Sequence, residues 1–101
     1  KRLMIKGVIS SMMINKDFGI YEIVAPREFV GKRIIDSNLR QEFSLNLVTI
    51  KKNIKLRGSM ISGEIEQNEV VGIPSPELII LEDDILVLFG KESDIRRLLN
   101  D

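Results

Sequence analysis

The stretch 74–90 constrains this chain more than any other. It opens on Pro74-Ser75-Pro76, passes through Leu78-Ile79-Ile80-Leu81, reaches Glu82-Asp83-Asp84, and continues as Ile85-Leu86-Val87-Leu88-Phe89 to Gly90. Proline fixes φ and carries no N–H, so residues 74–76 belong at a sheet edge or in a connection. Short carboxylates bond the local backbone and tolerate unusual φ/ψ, which predicts a turn at 82–84. The apolar run 85–89 reads as a strand buried on both faces and closed by Gly90. Helical spacing follows over 93–99, with Ile95, Leu98 and Leu99 as the packing residues and Asp94 favourably near the N-terminal end.

The rest of the chain divides at its turn signals. A short helical end gives way near Gly7 to a strand at about 9–15. Asn15-Lys16-Asp17-Phe18-Gly19 is turn chemistry between two apolar runs, which suggests a hairpin. A second strand runs from Gly19 until Pro26 stops it. Phe29, Val30, Ile34 and Ile35 recur at helical intervals and predict a short helix over 30–35. Asp36 or Ser37 then caps a second helix containing Leu39, Arg40, Glu42 and Phe43. Leu45, Leu47, Val48 and Ile50 make the next strand, ending in Lys51-Lys52-Asn53. Residues 54–69 read as polar and irregular, with short strands and mobile loops, and 70–73 as a weak strand. The order β-β-αα-β-(β)-β-β-α predicts an α+β fold: a small mixed or antiparallel sheet with helices packed on one face.

Composition removes whole classes of function. The 101 residues suit one domain with a single modest core, and fifteen basic residues balance fifteen acidic ones. That balance argues against a nucleic-acid polymer as partner. With no histidine and no cysteine, disulfides, thiolate metal sites, zinc hydrolase sites and Ser-His-Asp triads are absent, and an intracellular setting is favoured. No carboxylate pair is spaced as an acid–base constellation, so the chain is not expected to be an enzyme. No apolar stretch approaches the ~18 residues that span a bilayer. The chain starts at Lys1 rather than methionine, and it is expected to be part of a longer protein.

Several segments together resemble the TrkA C-terminal (RCK C-lobe) domain family, most nearly its Ktr/Trk potassium-uptake regulatory subunits. Ile20-Tyr21-Glu22-Ile23-Val24 resembles the family's first strand, and Val30-Gly31-Lys32-Arg33-Ile34 its "hydrophobic-Gly-Lys-x-hydrophobic" helix start. The run from Asn38 to Lys51 resembles the "Leu-Arg … Ile-x-Arg" core, while Ile73-Pro74 and Asp84-Ile85-Leu86-Val87-Leu88-Phe89-Gly90 resemble the end. Two positions depart from the pattern. Asp83 stands where a glycine usually precedes the last turn's Asp, and Ser44 stands where a glycine usually follows the helix. The turn survives if Asp83 takes the left-handed conformation. On this resemblance, 16–101 is the TrkA-C domain and 1–15 a linker from a missing N-terminal portion.

The resemblance implies a cytosolic regulatory domain of a potassium channel or transporter, held at the inner face of the plasma membrane by a membrane potassium-transport subunit. It further implies a homodimer and an N-terminal Rossmann lobe or membrane domain in the same protein. Gly7, Gly19, Gly31, Gly58, Gly63, Gly72 and Gly90 form no G-x-G-x-x-G, so the dinucleotide site lies elsewhere. One branch of the family binds cyclic di-AMP at its two-fold interface, and that pattern matches here at Arg40 and Asn46. A symmetric ligand suits an isologous dimer. Arg40 can grip a phosphate bidentately, Asn46 can donate and accept at once, and backbone donors near Asn38 favour an anion. Ile34, Ile35 and Leu39 supply apolar walls, and Pro74 lines the site.

Plainer readings stand beside each assignment. Arg40 can be a solvated partner of Glu42, and Asn46 a turn cap. Ile34, Ile35 and Leu39 can be core or dimer contacts, and the four methionines core or interface filler. Glu82-Asp83-Asp84 needs no metal once read as a turn, and Lys51, Lys52, Lys55 and Arg57 read as a solvated sheet edge. The alternatives for the whole chain are a ligand-free dimerisation module, or the regulatory domain of a cation antiporter or other transporter taking a different ligand.

Overall fold

The computed structural model describes residues 5–57 and 64–100, with side chains over 5–52 and 69–100. Its centre is the apolar run picked out by sequence. Strand β5 (Ile85–Lys91) lies in the middle of a five-stranded antiparallel sheet of order β1-β2-β5-β3-β4. Its neighbours are β2 (Phe18–Val24) and β3 (Asn46–Arg57), with β1 (Val8–Met13) and β4 (Glu64–Val70) at the edges. The β1–β2 hairpin turns where Asn15 predicts it: the Asn15 Oδ1 accepts the N–H groups of Asp17 at 2.9 Å and Phe18 at 2.8 Å. Of the helical end expected before Gly7, residues 1–4 lie outside the described residues, and Ile5 and Lys6 are not helical.

Register sorts the sheet into two faces. Tyr21 opposes Leu88 and Ile23 opposes Leu86, while Ile50 meets Leu86 from the other side. All five are fully buried. They meet Ile95 and Leu98 of helix α3 (Glu92–Leu99) and Leu39 of helix α2 (Leu39–Phe43), with Phe29 and Ile80 closing the core. The other face is partly open, with Phe18 stacked on Phe89 at 5.5 Å between ring centroids. This is the α+β sheet with helices on one face that the sequence predicts.

Glycine at 90 answers a close approach. A Cβ there would lie 2.5 Å from Cδ2 of the buried Leu45, so that side chain would have to shift. Gly90→Ala is expected to cost ~1–3 kcal/mol by overpacking. Thermal unfolding should show the midpoint falling by several degrees, and an unchanged midpoint would refute the tight fit.

Four expectations need correcting. Helix α1 occupies Ile34–Ser37, not 30–35. A 3₁₀ turn at Arg27–Phe29 comes first; Gly31 then adopts φ +91, and Arg33 is extended, pairing with Ile79. Periodicity reported that residues 29–35 share a buried side, and two short pieces separated by a break satisfy that as well as one helix does. Neither Asp36 nor Ser37 caps α2; both lie within α1, and Asn38 precedes α2 in the left-handed conformation (φ 55). Residues 54–57 and 64–69 are regular strand, with Lys55 opposite Glu66 and Arg57 opposite Glu64. Polar composition masked this ribbon: Ile54 and Leu56 alternate on one limb, but Glu66-Gln67-Asn68-Glu69 on the other carries no apolar residue. Residues 71–73 lie outside any strand, β4 having ended at Val70. The exposed Met12 and Met13 sit on edge strand β1, outside the core of this chain, where the interface reading still applies to them.

Candidate functional site

Two short helices, the start of β3 and the proline loop meet around one open groove of ≈ 580 Å³. The structure brings all seven sequence-predicted residues to it: Ile34 and Ile35 from α1, Asn38 between the helices, Leu39 and Arg40 from α2, Asn46 from β3, and Pro74 from the loop. Sequence reasoning missed Gln41, Leu47, Val48, Ile73 and Pro76, which also line it. Val48 arrives through a β-bulge, since the register shifts between Leu47 and Thr49. A bulge breaks the strict alternation of a strand, so a period-2 reading of 45–50 had no signal for it. Pro76 was readable from the Pro-Ser-Pro triplet.

The walls are held by backbone pairing rather than by helix length. Segment 76–80 runs beside 31–35: Ile34 N–H donates to Leu78 O at 2.9 Å and Ile35 N–H to Pro76 O at 2.9 Å. Gly31 N–H donates to Ile80 O at 2.7 Å and Ile80 N–H to Lys32 O at 2.9 Å. Within α1, the buried Ser37 hydroxyl donates to Ile34 O at 2.6 Å. Arg33 donates to Asp36 at 2.9 Å, and these hydrogen bonds hold the exposed Asp36 carboxyl below the usual carboxylate value. Ser44 ends α2 at φ 57, a left-handed C-cap whose N–H donates to Arg40 O at 3.1 Å. It takes the role that a glycine would otherwise fill.

Polar groups at the groove are left available. Among the described residues, the side chains of Asn38, Arg40, Gln41 and Asn46 make no hydrogen bond or ion pair. The Arg40–Glu42 pair required by the plainer reading is therefore not formed, and Asn46 caps nothing. Beside these donors stand apolar side chains with water-facing surface: Ile73 is 96% exposed, Ile35 57% and Val48 42%. Such a surface can take a flat apolar group together with an anion.

The acidic run forms the predicted turn. Asp83 is left-handed at φ 71, and Asp84 turns inward, 2% exposed, accepting Leu81 N–H at 2.8 Å and Lys52 Nζ at 2.5 Å. Of the basic stretch, Lys51 pairs with Glu22 at 3.0 Å. Among the described residues no cluster of three or more metal-ligating side chains occurs, and no helix is long and apolar enough to cross a membrane.

Comparison with known proteins places this geometry. The chain is similar to Ktr system potassium uptake protein A of Bacillus subtilis (strain 168), at 28% identity over 96 residues, covering 95% of this chain and 37% of that protein. Ktr system potassium uptake protein C of the same organism is 25% identical over 91 residues, covering 90% and 35%. The chain thus spans little more than a third of the length of these curated relatives. Among solved structures, the RCK C domain of the potassium transport protein KtrA, in complex with cyclic di-AMP, superposes with a TM-score of 0.59 at 26% identity, over 80% of this chain and 79% of that one. The GsuK channel bound to NAD gives 0.63 at 19% identity, over 84% of this chain and 13% of that one, which speaks for the fold alone. TrkA-C domains are regulatory and non-enzymatic. With the TrkA-C domain model matching residues 19–101, the chain belongs to the TrkA-C domain family.

Proposed function

We propose that this chain is the ligand-sensing C-lobe of a potassium channel or transporter regulator, and that its groove takes cyclic di-AMP across the two-fold axis of a homodimer. The observation that carries this reading is the Arg40 guanidinium, without a partner among the described residues, beside the apolar surface of Ile35, Val48 and Ile73. A phosphate needs a cation with free donors, an adenine needs a flat apolar face with polar groups at its edge, and this groove offers each. The KtrA domain named with cyclic di-AMP supports the choice of ligand. The Ktr relatives support a cytoplasmic regulator attached to a membrane potassium-transport subunit, with a Rossmann lobe or membrane domain in the same protein and residues 1–15 leading in from it.

Binding acts on transport only if the ligand prefers one of two lobe arrangements over the other. Groups offered once per copy act twice on a symmetric ligand, so the complex should contain one cyclic di-AMP per two chains. Isothermal titration with cyclic di-AMP, against ATP and NAD as controls, is expected to give that stoichiometry at micromolar or tighter affinity. Absence of heat from a folded dimer would overturn the ligand. The exposure of Ile35, Val48 and Ile73 favours a second reading in that event, in which another copy covers the groove and the domain serves assembly alone.

A further inference from the structure

We infer that Thr49 is a positioning residue for this groove: its hydroxyl staples the loop that carries Ile73, Pro74 and Pro76 into the site. The inference rests on the ligand reading above and extends it to a residue that does not line the groove. Residues 71–77 lie outside helix and strand, so their placement depends on the contacts at either end. At the start, Val71 N–H donates to Ile50 O at 3.0 Å; at the far end, Ile35 N–H donates to Pro76 O and Ile34 N–H to Leu78 O, both at 2.9 Å.

Between those ends the loop has little to hold it. Pro74 and Pro76 offer no N–H, and Ile73 is 96% exposed, so its burial anchors nothing. Among the described residues, one hydrogen bond ties residues 72–75 to the body of the domain: Thr49 Oγ1 donates to Gly72 O at 2.5 Å. Thr49 follows the β-bulge directly, resuming the ladder opposite Val87. The same irregularity that brings Val48 to the groove thus sets the next residue to hold the opposite wall. Strand β3 supplies both a lining of the site, through Asn46 and Val48, and the tether of the loop facing it.

Replacing one hydroxyl by a methyl tests this with little change of shape. Thr49→Val in the 101-residue chain is expected to weaken cyclic di-AMP binding about three- to ten-fold, the loss expected for one hydrogen bond that orders a binding surface. Thr49→Ser should restore the wild-type affinity, and the thermal midpoint should move by no more than a few degrees in either variant. Wild-type affinity in Thr49→Val would overturn the inference, as would equal weakening in Thr49→Ser, which would assign the effect to the lost methyl. If the unsubstituted chain takes up no cyclic di-AMP, the ligand reading fails separately. Amide hydrogen exchange of the free protein then decides the staple. Faster exchange at Val71 and Leu78 in Thr49→Val, with Leu86 and Leu88 unchanged, supports it, and identical exchange refutes it.

Discussion

Alanine at position 40 is expected to abolish cyclic di-AMP binding at micromolar protein while leaving the fold intact. A hydrogen bond to a charged group contributes ~1.5–3 kcal/mol, and a bidentate guanidinium–phosphate pair stands at the upper end. In a two-fold complex one substitution removes the contact from both phosphates, so the loss is ~3–6 kcal/mol, or more than about 100-fold in affinity. Stability should not follow. Arg40 is exposed, has no side-chain partner among the described residues, and sits in α2, where alanine is the better helix former. A thermal midpoint that holds or rises slightly, together with lost titration heat, would separate ligand recognition from folding. Arg40→Lys should fall between, since it keeps the charge and loses the planar fork. Undiminished binding by Arg40→Ala would remove this residue from the site and with it the main support for an anionic ligand.

How much of this was legible depended on where the physics is local. The central strand announced itself through five consecutive apolar residues between an acidic turn and a glycine, and β5 lies there. Asn15 marked its hairpin for a similarly local reason, because a short amide side chain can bond the backbone two and three residues on. The departure at Asp83 was legible as a demand on conformation, and the residue adopts positive φ; Ser44 adopts it too, keeping the helix end that a glycine would give. What escaped was set by long-range pairing. Nothing near Gly31 in sequence says that its N–H will meet Ile80 O, yet that pairing and its neighbours break the helix predicted over 30–35. The outer ribbon of β3 and β4 carries only a short apolar alternation, Ile54 and Leu56, against the polar run Glu66-Gln67-Asn68-Glu69, so register defines it more than pattern does.

The groove shows the same division. Each of the seven proposed residues was found from its type and its place in a family pattern, and the structure gathers them around one groove. No propensity rule predicts the bulge at Val48 or the exposure of Ile73, because the first is set by the β3–β5 register and the second by the course of the loop. Contact residues can therefore be read from a motif, whereas the residues that hold them in place are visible only in three dimensions.

The strongest of those holding residues is Lys52, and its replacement by methionine is expected to be the most destabilising single change considered. Lys52 Nζ donates to Asp84 at 2.5 Å and to Ile79 O at 3.0 Å, which ties β3 to both ends of the 79–84 turn. Asp84 is 2% exposed, so without the ammonium its charge is left inside the protein with Leu81 N–H as its remaining partner. Breaking a buried pair from one side costs ~3–5 kcal/mol, whereas methionine keeps most of the apolar stem and spares the packing. For a domain of this size each kcal/mol moves the midpoint by ~4–8 °C, so a fall of at least about 12 °C is expected. Asp84→Asn should cost less, because the amide still accepts Leu81 N–H and the stranded ammonium lies nearer to water, its side chain 17% exposed. Combining the two substitutions should recover part of the loss, as a double-mutant cycle followed by thermal unfolding would show. The affected turn continues into the segment paired with 31–35, so Lys52→Met should lower stability and ligand affinity together. Thr49→Val should lower affinity alone. A Lys52→Met midpoint within a few degrees of wild type would mean that Asp84 reaches water more easily than its burial indicates.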